Sequence, residues 1–398
     1  MSEGNVQEPG SEALVDRRTV LKAGALAGVA AFLAACGTSG TSTAPTDSGG
    51  AGQSVSPTLN VANWTLYIDL SSDSSTRPTV VDFEKRYGTS VNYQEAVNDN
   101  DSFFGTIKAP LQAGQDSGWD IVTLTDWMAA RILRLGWAEK IDKGNMPDFA
   151  ANLLDVYRGR SIDPNVEYLA PWAGIVAGIA IDKTKAAFVK GFKDLFDPRL
   201  KGRVSLLTEM RDTMGLALLA NGDDPAKVDR PSFDRAIALI QPNVASGQIR
   251  QFTGNDYKEL IAKGDVVACG AWRGDVVQIA YDSPNIGWVT PRDGCMFASD
   301  NMIIPLGAAH KYTAELWMNW YYMPENAARL TAYIQYVSPV KGTKEVIAGS
   351  SDPAVAALAS DPFIFPDATI SAELHVFGAL TEADEQYMND AFSALQGN

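Results

Sequence analysis

From Thr58 onward, short apolar runs alternate with longer segments in which apolar side chains recur every three or four positions. That is the pattern of strands alternating with amphipathic helices. "TLNVAN" reads as a strand, and "PTVVDFEKRYG" as a helix with Val80, Phe83 and Tyr87 on one face and Gly88 as its stop. "TSVNYQEAV" is a strand, "SFFGTIKAPLQAG" a helix and "WDIVTL" a strand. "DWMAARILRLG" is a helix carrying Met128, Ile132 and Leu135 on one face before Gly136. Strand follows helix throughout, so the chain is expected to build open α/β layers.

The run "VEYLAPWAGIVAGIAID", from Val166, breaks this rhythm with Pro171 and two glycines inside an apolar stretch. A simple core strand avoids both, so the run reads as the chain crossing from one lobe to another. A second α/β series follows in "GRVSLL", "RDTMGLALLANG", "SFDRAIALIQP", "DYKELIAKG", "DVVACGAW", "GDVVQIA" and "NIGWVTP". After the extended "CMFASDNMIIP", the chain returns to the first lobe with the helix "YTAELWMNWYYM" and crosses again near "YIQYVSPVKG". Leu316, Trp317, Trp320 and Tyr321 repeat at helical spacing and are read as packing against a sheet, with no further role. Lobe 1 is then expected over 58–170 and 301–335, and lobe 2 over 171–300 and 336–398.

In open α/β sheets ligands gather beyond the carboxyl ends of the strands. Trp64 and Tyr67 follow the first strand; Thr125, Asp126 and Trp127 follow "WDIVTL"; Thr208, Glu209, Arg211 and Asp212 follow "GRVSLL"; Trp272 ends "DVVACGAW". Asp300 stands near the second crossing. Trp64 and Tyr67 cannot share a face within one strand. If the strand stops at Asn63 and the chain turns helically, residues three apart do share one. Flat rings with a few carboxylates suit an alkyl chain bearing ammonium groups, because rings cover methylenes and attract cations while a carboxylate adds a charge-assisted hydrogen bond. A single aromatic at a strand end can equally cap the sheet edge.

Composition fits this picture. The 398 residues are 46% hydrophobic and 20% charged, enough for about two domains. The net charge of -15 disfavours nucleic acid and anionic membrane surfaces and favours small cations.

The first fifty-odd residues read as leader and tether. Arg17 and Arg18 precede a small-residue apolar run from Ala23 to Ala35 that ends at Cys36, too short to span a bilayer. This resembles a twin-arginine export signal, with Asp16 where Ser or Thr is commoner, and "LAAC" resembles the lipobox at which bacterial lipoproteins are cut and acylated on the cysteine. Residues 1–35 are thus read as a signal peptide, Cys36 as the lipidation site and 36–57 as a flexible tether. A general secretory signal is the competing reading. Cys269 and Cys295 remain, and in an oxidising compartment they are either a bridge or two buried thiols.

The segments "NWTLYI", "GWDIVTLTDWMAARI", "YLAPWAGIVAGIAID", "LFDPRLKGRVSLLTEMRDTMGLAL", "VVACGAWRGDVVQIA" and "DNMIIP", in this order and spacing, resemble the extracytoplasmic spermidine- and putrescine-binding proteins of ABC importers. The resemblance implies a two-lobed periplasmic-binding-protein-like α/β fold with a hinge and a central ligand cleft. It implies ligand contacts from Trp64, Tyr67, Thr125, Trp127, Trp272, Asp300, Tyr336 and His375, with the family's acidic pair at Glu209 and Asp212 if one residue between them is missing. It also implies a small cationic amine as ligand, ABC permease subunits as partners, and residence outside the cytoplasmic membrane or in the periplasm. A lipid-anchored monomer without cofactor or metal is expected. One departure is Ala298, two residues before Asp300, where the family usually has Trp; Phe297 beside it would point to the other face of a strand.

Three rival functions remain at this level. Glu209, Asp212 and Asp300 could serve a secreted hydrolase as an acid/base pair, although His310 and His375 are the only histidines and no Gly-x-Ser-x-Gly, His-Glu-x-x-His or P-loop pattern occurs. A sugar or ferric-ion binder, or a surface lipoprotein without ligand, would share much of the same pattern. His310 reads as a surface helix cap, and Asp275 of "RGD" as the cap of the helix after it.

Overall fold

The computed structural model describes residues 53–397. The paired arginines, the apolar run, Cys36 and most of the tether lie outside the described residues.

The strands are β1 (Thr58–Trp64), β2 (Ser90–Val97), β3 (Ile121–Thr125), β4 (Ala170–Asp182), β5 (Val204–Leu207), β6 (Ile249–Thr253), β7 (Ala268–Trp272), β8 (Ile286–Val289), β9 (Cys295–Ile303) and β10 (Leu374–His375). Between β1 and β4 lie the helices α1 (Pro78–Tyr87), α2 (Asn100–Gln112), α3 (Asp126–Arg134) and α4 (Pro147–Asn152). Then come α5 (Met210–Asn221), α6 (Arg230–Ala245), α7 (Tyr257–Lys263), α8 (Arg273–Asp282), α9 (Lys311–Tyr321) and α10 (Pro324–Ile334). The C-terminal part adds α11 (Thr343–Ala348), α12 (Pro353–Ala357), α13 (Ala368–Ala372) and α14 (Glu382–Gln396).

The fold is α/β and two-lobed, and two long strands bridge its halves. The sheet runs in the order β2-β1-β3-β9-β4-β7-β5-β6, with β10 added beside β9 and β8 beside β4. The outer triplets are parallel: β1 pairs with β2 and β3, and β5 with β6 and β7. Between them β9 uses Asp300–Ile303 against β3 and Met296–Met302 against β4, while β4 continues through Ala177–Ile181 against β7, all antiparallel. A third link follows α10, where Val337 bridges Gly174 after Gln335 adopts φ 55°. The thirteen residues of β4 are all buried. Pro171 is tolerated because the β4–β9 register shifts between Pro171 and Ala173, so a run that reads poorly as a core strand is the central strand.

The aromatic helix packs as its spacing predicts. Trp172 of β4 stacks on Tyr321 of α9 at 4.5 Å, and Phe83 of α1 meets Trp317 edge-on at 5.1 Å. In α3 the expected apolar face is shorter: Met128 and Ile132 are buried, but Leu135 is 44% exposed because the helix ends at Arg134. His310 occupies the capping position of α9 without capping; its Nδ1 lies 3.0 Å from Asp120 instead.

Cys269 and Cys295 are both buried free thiols. Burial pushes each thiol up to about 12. Cys269 pairs with Ala180 on one side of β4, and Cys295 lies on β9 along the other side. Two inter-strand spacings, about 10 Å, separate their backbones, which is beyond the reach of a disulfide.

Candidate functional site

The cleft lies where the carboxyl ends of the outer strands face one another. Trp64 is the last residue of β1, so the strand runs one residue further than a stop at Asn63. The chain turns through Leu66 in the left-handed region, φ 60°, which brings Tyr67 round to the same cavity. β3 ends on Thr125, and β7 ends on Trp272, from which α8 starts. Asp300 sits on β9 directly opposite Thr125.

These residues enclose a cavity of ≈500 Å³, mouth included, lined by Trp64, Tyr67, Thr125, Glu209, Asp212, Trp272, Asp300 and Tyr336. Trp64 and Trp272 meet edge-on across it at 6.4 Å, and Tyr67 meets Tyr336 edge-on at 5.0 Å. Apolar edges and faces therefore form the walls, and the indole N–H of Trp64 has no partner among the described residues.

Polar groups form a chain between the lobes. Thr125 Oγ1 donates to Asp300 at 2.8 Å and accepts from Asn100 Nδ2 at 3.0 Å. Asn100 Nδ2 also reaches Glu209 Oε2 at 3.0 Å. On the other side Trp272 Nε1 donates to Asp212 at 2.8 Å. Asp275 accepts from Tyr257 at 2.7 Å and Tyr336 at 2.9 Å, and pairs with Lys258 at 2.9 Å. Among the described residues Glu209, Asp212 and Asp300 form no ion pair, and burial has the expected effect. It pushes Asp300 up to about 7 against the opposing hydrogen bond from Thr125. It also raises Glu209, with Asp212 adding to the rise, and raises Asp212 itself.

The lobes are held shut around this space. Thr208 Oγ1 donates to Asp99 at 2.9 Å, and Lys258 Nζ reaches the Thr65 carbonyl at 3.4 Å. Outside the cavity, Glu385 of α14 ties Arg131 and Arg134 of α3 to Arg211 of α5, at 3.2, 2.8 and 3.0 Å.

Eight of the ten residues named from the sequence line the cavity; Trp127 and His375 do not. The Arg211 guanidinium lies 4.0 Å from the Trp127 ring centroid and that of Arg131 5.0 Å, so protein cations occupy the ring. His375 belongs to β10, paired with Met296, and its ring lies where a Cβ on Gly294 would be, 2.7 Å away. Ala298 lies opposite Ile175 on the face that carries Asp300, and Ile175 lines the cavity there. Phe297, on the other face, packs at Gly174 and Val337.

Asn98, Asp99, Asn100, Asn255, Lys258 and Asp275 also line the cavity. The polar runs "NDND" after β2 and "GND" after β6 mark the same strand ends and carry the signal for four of them. Asp275 does not cap α8: Trp272 holds that position, and Asp275 lies in the first turn and is buried. The preceding Gly274 is required by close approach, since a Cβ there would lie 2.1 Å from Cε2 of Tyr336. Gly274→Ala is expected to displace Tyr336 and to lower stability by about 1–3 kcal/mol, measured by thermal melting. An unchanged Tm would mean that Tyr336 is free to move aside.

Among the described residues no group of three or more His, Cys, Asp or Glu side chains is arranged to hold a metal ion, and no helix is long and apolar enough to cross a membrane.

Residues 79–357 match the family described as bacterial extracellular solute-binding protein. The spermidine/putrescine-binding periplasmic protein of Escherichia coli strain K12 is 26% identical over 317 residues, covering 78% of this chain and 84% of that one. A putrescine/cadaverine-binding protein of Pseudomonas aeruginosa is 25% identical over 355 residues, covering 85% and 93%. In structure, the Tp0655 (TpPotD) lipoprotein of Treponema pallidum superposes with a TM-score of 0.69 at 20% identity, covering 86% of this chain and all of that one.

Proposed function

This chain belongs to the bacterial extracellular solute-binding proteins, and on that premise we propose that its cleft captures a small aliphatic amine, a polyamine such as putrescine or spermidine, for an ABC importer. The observation that carries this reading is the pairing of aromatic walls with three buried carboxylates, Glu209, Asp212 and Asp300, that have no ion-pair partner among the described residues. Rings shield methylenes and attract cations, and each carboxylate offers an ammonium a charge-assisted hydrogen bond. The Arg211 charge offsets only part of the cost of burial at Glu209 and Asp212, so these buried carboxylates are held in an unfavourable state, and an ammonium guest relieves it. The polyamine names carried by relatives at 25–26% identity support the same ligand class.

In this reading the lobes, divided at about 170 and 300 and again near 335, hinge on β4, β9 and the link at Val337 and close over the guest. The closed monomer then docks on permease subunits. Export through the twin-arginine leader and acylation of Cys36 would hold it at the outer face of the cytoplasmic membrane, on a tether over residues 36–57.

The test is thermal melting with putrescine, cadaverine, spermidine, amino acids and sugars. A ligand at a hundredfold excess over Kd stabilises the folded form by about 2.7 kcal/mol, a shift of several degrees in Tm. Shifts confined to amines are expected. A sugar that raises Tm where every amine fails would overturn the proposal.

A further inference from the structure

One group in the cleft has the wrong sign for an amine site. Lys258, the second residue of α7, lines the cavity with its side chain only 13% exposed. Its ammonium lies 2.9 Å from Asp275 Oδ2 and 3.4 Å from the Thr65 carbonyl, next to Trp64. Asp275 does not need it for hydrogen bonding, because the hydroxyls of Tyr257 and Tyr336 already donate one to each carboxylate oxygen. What Lys258 adds is a positive charge, and it spans from the Asp275 lobe to the Thr65 lobe as a guest ammonium would.

We propose that Lys258 sets the charge of the guest: it occupies Asp275 in place of a ligand ammonium, so the cleft favours amines with fewer charges than its carboxylates could hold. This rests on the amine reading above. The guest's ammonium goes to Asp300 and to Glu209 and Asp212, and its other end, near Lys258, is uncharged or offers an acceptor to the third ammonium N–H. Cations of one sign placed side by side in a buried cleft repel each other strongly, so a second guest ammonium meets Lys258 as a competitor for Asp275.

Two ligands of one chain length isolate this effect: putrescine, with an ammonium at each end, and 1-aminobutane, with one. Their Kd values are measured by titration calorimetry on the wild-type protein, Lys258→Gln and Asp275→Asn, with thermal melts to establish folding. Lys258→Gln frees Asp275 and is expected to raise the preference for putrescine over 1-aminobutane by about tenfold or more, the size of one charge-assisted hydrogen bond. Asp275→Asn leaves Lys258 uncompensated and is expected to lower the same preference by a similar factor. If Lys258→Gln does not fold, Lys258→Met, which keeps the aliphatic stem and removes the charge, takes its place with the same expected rise. Amine binding with an unchanged preference in both variants overturns the role of Lys258 and leaves the amine reading standing. Failure of both amines to bind wild-type protein overturns both readings.

Discussion

Asp300→Asn is expected to weaken putrescine binding by roughly 30-fold to several-thousand-fold, the 2–5 kcal/mol typical of truncating one partner of a buried charged pair. Asp300 is 3% exposed and sits opposite Thr125 at the junction of β9 with β3, so an ammonium placed there has little water to replace the lost carboxylate. The substitution should not unfold the protein. An Asn oxygen still accepts from Thr125 Oγ1, and the change removes a carboxyl group that burial already holds near 7. The apo variant is therefore expected to melt at or above the wild-type temperature at pH 8, while calorimetry shows the affinity lost. Unchanged affinity would remove Asp300 from the site, and a lower apo Tm would assign it a structural role instead.

Much of the cleft was legible in the sequence because strand ends are legible. An apolar run that stops at a polar or aromatic residue locates a carboxyl end, and Trp64, Thr125, Glu209 and Trp272 stand at such ends; their alignment on one cavity follows from the parallel triplets on either side of β9 and β4. What was not legible depended on which groups had already found partners. Trp127 stands at a strand end like the others, but Arg211, distant from it in sequence, lies over its ring. Asp275 looked like a helix cap because spacing alone cannot show that two tyrosine hydroxyls and Lys258 converge on it. The two cysteines looked pairable because sequence order gives no sign that β4 runs between them. At Ala298 the sequence shows only a small side chain, and that its cross-strand neighbour Ile175 lines the cavity depends on the register of β9 with β4. Each failure concerns a contact between segments far apart in the chain.

The apo protein is expected to lose stability as pH rises from about 4 to about 8, and bound amine is expected to abolish most of that loss. Asp300 moves from an ordinary carboxylate value of 3.8 to about 7 on folding, so its folded form holds the proton more tightly than its unfolded form. Its contribution is fully present below about pH 4 and is lost as pH rises through about 7. A rise of about three pH units corresponds to roughly 4 kcal/mol for this one fully buried group. Glu209 and Asp212, also raised, act in the same direction. Glu385 acts oppositely: although burial pushes it up, Arg131 and Arg211 hold it below the usual value. Its contribution is therefore present above the ordinary glutamate range and fades only as pH falls below it, outside the window in which Asp300 titrates. An ammonium beside Asp300 stabilises the charged form and draws its pKa back down, so binding near neutral pH releases protons. Melting curves between pH 5 and 8.5, with and without saturating putrescine, should show an apo Tm that declines with pH and a ligand-induced shift that grows with it. Calorimetric titrations in buffers of different ionisation enthalpy should show the released protons, and Asp300→Asn should reduce the apo decline. An apo Tm that is flat or rising over this range would mean that the cleft carboxylates are already compensated, and it would remove the physical reason for the cavity to take a cation.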